Sequence, residues 1–189
     1  METTSSDNRR KISISGPVLG EEKEIASIRK ETWLDTYPNE QYGITREDIL
    51  SKDFDSEMKL QESRGMIKSS GKGSNYIRIA KDGGKIIGFS SGIKRENFNE
   101  LTAFYILPSY QGQGTGKMLA KLILEWLGED KKIVVNVVEY NEKAKFFYKK
   151  LGFIKTGKPV SYMELPSGKK IPEIEMEIRP LKNGAAENF

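Results

Sequence analysis

The stretch PSYQGQGTGK, residues 108–117, sets glycines at 112, 114 and 116, directly after an apolar run and directly before an amphipathic one. The run before it, LTAFYIL (101–107), reads as a strand, and Pro108, which lacks an N–H, suits its end. After it, Met118, Leu119, Leu122, Ile123, Trp126 and Leu127 form a stripe along one helix face, with Gly128 standing where a C-terminal glycine cap belongs. Next comes IVVNVV (133–138), nearly all β-branched, the pattern of a strand buried on both faces with a parallel neighbour reached through the helix. Strand, glycine loop, helix and strand therefore make one βαβ unit.

Working outward, KISIS (11–15) reads as an opening strand, and residues 20–38 as a helix carrying Ile25, Ile28 and Trp33 and ended by Pro38. ITREDILSKDF offers Thr45 as an N-cap, and SEMKLQESRGMI continues a polar, helix-compatible stretch with little apolar stripe. YIRIA and IIGFSSGI, joined by KDGGK, predict a β-hairpin. Asn141 caps a helix whose inner face holds Ala144, Phe147 and Leu151, with Lys149, Lys150 and Gly152 marking its end. GFIKTG and KIPEIEMEI close the fold as strands. The expectation is a mixed α/β (α+β) fold in one domain spanning 9–181, with tails at 1–8 and 182–189.

Composition narrows the chemistry. The 189 residues include neither cysteine nor histidine, which removes thiolate chemistry, the commonest general base and the usual metal ligands. No metal is expected. With 31 basic and 27 acidic residues spread along the chain, the net charge of +4 describes a mixed surface, and no clustered basic patch points to nucleic acid. No apolar run approaches a membrane span and METTSSDNRRK lacks a secretory h-region, so no membrane partner and a cytoplasmic location are expected.

The glycine loop fails both common phosphate-loop patterns. Counting G-x-G-x-x-G from Gly112 puts Lys117 at the third glycine, and Gly112 and Gly116 enclose three residues where a Walker A loop has four. The physics behind those loops still applies, because glycines at a strand-to-helix turn let backbone N–H groups converge on an anion. A tight turn chosen for packing is the other reading, and spacing leaves both open.

Two motifs resolve it by resemblance. Gln111, Gly114 and Gly116 fit the pattern Gln/Arg-x-x-Gly-x-Gly/Ala, and Asn141, Ala144, Phe147, Tyr148, Gly152 and Phe153 fit Asn-x-x-Ala-x-x-Phe-Tyr-x-x-x-Gly-Phe. In this order, separated by a helix and a buried strand, they resemble the GNAT superfamily of acetyl-CoA-dependent N-acetyltransferases, over roughly residues 76–178. The resemblance implies a sheet of about six to seven strands splayed between strands 4 and 5, flanked by about four helices. Pantetheine would lie in the splay against the main chain of Phe104, Tyr105 and Ile106, and the pyrophosphate against Gln111, Gly112, Gln113, Gly114, Thr115, Gly116 and Lys117, with Asn141 and Tyr148 nearby.

The same resemblance makes Tyr148 the acid that protonates the departing thiolate, where spacing alone reads an aromatic core residue. It makes Glu100 the base, with Tyr105 and Glu139 as alternatives, where spacing reads a charged residue after a turn. Trp33, Tyr37 and Tyr162, with Asp35 and Glu40, would suit a small cationic amine, and ETWLDTY is loosely similar to polyamine acetyltransferases. A peptide or protein amine, and a non-catalytic acetyl-CoA-binding module, are the alternatives. Whether the chain forms a homodimer stays open.

Overall fold

The computed structural model describes residues 11–180, so the expected tails 1–8 and 182–189 lie outside the described residues. The elements run β1 (Ile12–Ser15), α1 (Glu22–Thr36), α2 (Arg46–Leu50), α3 (Glu57–Ser69), β2 (Asn75–Asp82), β3 (Lys85–Lys94), β4 (Asn99–Ile106), α4 (Thr115–Leu127), β5 (Ile133–Val138), α5 (Glu142–Lys150), β6 (Ile154–Lys155), β7 (Ser161–Glu164) and β8 (Lys170–Ile178). One mixed sheet has the order β1-β2-β3-β4-β5-β8-β6, with β7 also paired to β8.

The strand and helix counts exceed the expectation for local reasons. β6 pairs with Glu177 and Met176 and β7 with residues 173–170, so both short strands serve β8, interrupted by TGKPV, where Gly157 has φ +78° and Pro159 follows. The polar region after α1 divides into two helices because each half has its own cap. Thr45 and Asp48 form a reciprocal capping box on α2, and Ser56 accepts from Lys59 N–H to start α3. Buried Ile49, Phe54, Leu60 and Ile67 fix this region despite its weak stripe. The β2–β3 hairpin turns through Gly83 and Gly84, both at positive φ (+55° and +97°), as a type I′ turn requires.

The feature that positions the site is the parting of β4 from β5. These parallel strands pair only at Asn99–Ile133 and Glu100–Val134. On the other edge of β4, the register with β3 passes from Gly92–Leu101 to Ser91–Ala103, so Thr102 is an extra residue and β4 bulges there. A bulge sharpens local twist and turns the strand away from its neighbour. Thr102 Oγ1 lies 2.8 Å from Ser91 Oγ and 3.1 Å from Ser91 O, which fastens the bulge to β3.

Side chains alternate across β5 to build two cores. Val135 and Val137 pack with Ile123 and Leu127 of α4, Tyr148 of α5 and Phe153. Val138 packs instead with Trp33 of α1, Ile49 of α2 and Ile171 of β8. The gap between β4 and β5 thus has an α4/α5 side and an α1 side.

Candidate active site

Where β4 and β5 part, a cavity of about 1090 Å³ opens, lined from α1, β4, the glycine loop, β5 and α5. Its β4 wall is bare backbone. Leu107 N–H bonds Ile87 O across to β3 at 2.9 Å, so by antiparallel alternation the polar groups of Phe104 and Ile106 face the other way, into the gap. Gln111 Nε2 donates to Ile106 O at 3.0 Å, which braces the loop against the strand end and leaves Ile106 N–H and both groups of Phe104 for an incoming amide chain.

The glycines of the loop do different work. Gly112 and Gly114 have φ of +76° and +89°, and a Cβ on either would meet nothing within 4 Å, so each serves a left-handed backbone beside open space. Gly116 is not left-handed; a Cβ there would sit 3.2 Å from Phe147 Cε2 and 3.3 Å from Ile106 Cδ1, so its bareness lets α4 pack against α5 and β4. Gly114 is also the N-cap of α4 and contributes no side-chain cap, which leaves the first-turn N–H groups of Gly116 and Lys117, both on the cavity wall, for an anion at the positive end of the helix. Lys117, in this turn, and Lys143 and Lys150 of α5 line the cavity. A peptide-like arm continuing into a pyrophosphate fits these walls, so the residues present fit acetyl-CoA.

Tyr148 lines the cavity from α5, buried among Phe104, Phe147 and Phe153 at ring distances of 6.4, 5.6 and 5.4 Å. Burial, with the neighbouring Tyr105 second, pushes its phenol far up, so it stays protonated. Asn141 lines the cavity too, but its Oδ1 already accepts from Ala144 N–H at 3.0 Å as the cap of α5, so only its amide NH₂ is left for a ligand. On the α1 side, Tyr37 and Asp35 line the cavity, and Tyr140 Oη donates to Tyr37 O at 2.6 Å. Burial, then the charge of Tyr42, pushes the Tyr140 phenol up to about 12.

Several expected residues stand elsewhere. Glu100 sits where β4 and β5 are still paired, is held by Arg95 at 2.5 Å, and does not reach the cavity wall. Trp33 is buried outside the wall and acts through it, its indole N–H donating to Tyr105 Oη at 3.0 Å. Tyr162 is exposed on β7, away from the cavity. Gln113 turns back to Ser109 O at 2.7 Å, and the Thr115 side chain is fully buried; neither lines the cavity. Asp35, named only among the supporting acids, and Asn136, passed over as part of a valine strand, do line it. The signal for Asn136 was its polarity in IVVNVV. Among the described residues no group of three or more carboxylates could hold a metal ion, and no helix is long and apolar enough to cross a membrane.

Residues 25–153 match the family described as Acetyltransferase (GNAT) family. Over 110 residues, 56% of this chain and 73% of the relative, the sequence is 34% identical to a [ribosomal protein bS18]-alanine N-acetyltransferase of Haemophilus influenzae. The fold resembles PaiA N-acetyltransferase of Thermoplasma acidophilum in complex with coenzyme A, with TM-score 0.64 and 20% identity over 89% of this chain and 98% of that one. It also resembles spermidine N-acetyltransferase of Vibrio cholerae in complex with CoA and spermine, with TM-score 0.64 and 19% identity over 89% and 95% of the two chains.

Proposed function

The chain belongs to the acetyltransferase (GNAT) family, and from that premise we propose that it moves the acetyl group of acetyl-CoA directly to a primary amine, the acceptor being a small cationic amine of the polyamine class. It is an N-acetyltransferase with acetyl-CoA as cosubstrate. The observation that carries the choice of acceptor is the division of charge along the cavity. Lys117 stands in the first turn of α4 at the glycine-loop end, while Asp35 lies on the α1 side with the aromatic rings of Tyr37 and Tyr140. A carboxylate beside aromatic faces attracts a cation, and the basic end suits phosphates.

Bound acetyl-CoA supplies the thioester, its amide chain along Phe104 and Ile106 and its pyrophosphate on the first turn of α4. The amine nitrogen forms the new N–C bond, the C–S bond breaks, and Tyr148 gives its proton to the sulfur. Asp35 replaces Glu100 as the carboxylate near the amine, drawing it in and taking its proton through water. The backbone N–H of Phe104, unpaired toward β5 and farther from the glycine loop than Ile106, is the donor for the carbonyl oxygen.

A ligand selective for the native state raises Tm by mass action, about 2.7 kcal/mol of stabilisation at a hundredfold excess over Kd. Saturating acetyl-CoA and CoA are therefore expected to raise the midpoint by several degrees in scanning fluorimetry. An unmoved midpoint with both ligands would mean that the glycine loop is only a turn.

The acceptor is tested by following thiol release from acetyl-CoA with spermidine, with a peptide beginning with alanine, and with neither. The peptide reading is favoured by the 34% identical relative. Turnover of spermidine at the higher kcat/KM is expected; release with the peptide alone would transfer the assignment to a protein N-terminus.

A further inference from the structure

The geometry points to Asn136 as the residue that holds the acceptor nitrogen for attack, a role that rests on the acetyl-transfer reading above. β5 is buried at five of its six positions and exposed only at Asn136. An isolated amide in a run of valines weakens a strand core unless it faces something polar. Here the neighbour that would cover it is missing: β4 leaves β5 after Glu100–Val134, two residues before Asn136, and the cavity begins there.

The direction of the side chain follows from alternation. Val135 and Val137 face the core with Tyr148 and α4, whereas Val138, on the same face as Asn136, packs with Trp33 and Tyr37 on the α1 side. Asn136 thus lies on the face from which the amine is proposed to enter, while Tyr148 reaches the gap from the opposite face. Asp35 and Asn136 line the same cavity.

Its chemistry suits the task. The amide oxygen accepts one N–H of a primary amine and orients the lone pair, yet a neutral amide does not favour the ammonium form as a carboxylate would. Asn136 is a positioning and selecting residue, and the proton leaves by way of Asp35. The titratable groups that share its cavity or its face of the sheet include Asp35 and Tyr37 of α1, Tyr105 of β4, Tyr140 after β5, Tyr148 of α5, and Glu173 and Glu175 of β8, Glu173 held above the ordinary carboxylate range by burial. Glu175 is its cross-strand partner; its Oε2 is engaged by Lys158 at 2.7 Å, while its buried Oε1 has no hydrogen-bond partner among the described residues.

The test uses full-length protein and whichever of spermidine and the alanine peptide the wild type turns over. Asn136→Ala is expected to raise the amine KM roughly tenfold or more, the value of a lost hydrogen bond to an amine, with acetyl-CoA Kd within twofold. Asn136→Asp places an anion beside the nitrogen and stabilises the ammonium. The ascending limb of the kcat–pH profile is therefore expected to move up by about 1 unit or more. Tm and acetyl-CoA Kd establish that both variants fold. An unchanged amine KM in the alanine variant, or a limb in its wild-type position in the aspartate variant, overturns the inference. So does an equal loss of acetyl-CoA affinity, which would make Asn136 a cofactor contact. A wild type that turns over neither amine sinks the proposed acceptor, and this inference with it.

Discussion

Replacing Tyr148 with Phe is expected to lower the single-turnover rate of acetyl transfer by roughly 10²–10⁴-fold, the range for loss of a positioned general acid, with acetyl-CoA affinity unchanged. The ring does the packing, in edge contacts with Phe104, Phe147 and Phe153, and phenylalanine keeps every one of them. What it removes is one proton at the cavity wall. Burial holds that proton on the phenol above its ordinary range near 10, so the acid form persists as pH rises through the working range and is lost only above it. Hence the wild-type rate is expected to show no alkaline decline from Tyr148 below about pH 10. Rapid-mixing measurement with a verified amine separates chemistry from product release. A chemical step within a few-fold of wild type in a folded variant would make Tyr148 a packing residue.

Gly114→Val is expected to weaken acetyl-CoA binding by roughly 10- to 100-fold, the value of one charge-assisted hydrogen bond of about 1.5–3 kcal/mol. The branched side chain enters the open space beside the first turn of α4 and blocks the approach of an anion to the N–H groups there. It also forces a Cβ into a φ of +89°, which costs about 1–2 kcal/mol of stability, small enough for a domain stable by about 5–15 kcal/mol to remain folded. Gly157→Val separates the two effects. Gly157 has φ +78° and equally open surroundings but lies between β6 and β7, outside the cavity wall, so the same strain is expected there with wild-type affinity. Equal Kd values for wild type and Gly114→Val by titration calorimetry would remove the loop from the ligand.

The two predictions draw on signals that differ in range. Gly112 and Gly114 were legible as turn glycines because left-handed backbone is a local property, written in the glycines themselves. The cap at Asn141 and the stripe on α4 likewise depend on residues three or four apart. Gly116 looked like its two neighbours in sequence, yet its reason is contact with Phe147 and Ile106, which only packing reveals.

The amino-acid sequence by itself determined the order β4, glycine loop, α4, β5, α5, since turns, caps and periodicity are settled within a few residues, and the resemblance of its two motifs added the expected roles of the glycine loop and Tyr148. The tertiary structure alone decided which residues line the α1 side of the cavity. One extra residue at Thr102 bends β4 away from β5 just past Glu100, so Glu100 stays in the paired part of the sheet and Asn136, two residues beyond the last pair, is uncovered. The wall there is joined by hydrogen bonds between residues 72 and 103 positions apart, Trp33 to Tyr105 and Tyr140 to Tyr37. A one-residue change of register turns a strand's side chains to the opposite face, and no local pattern records which register a distant strand takes.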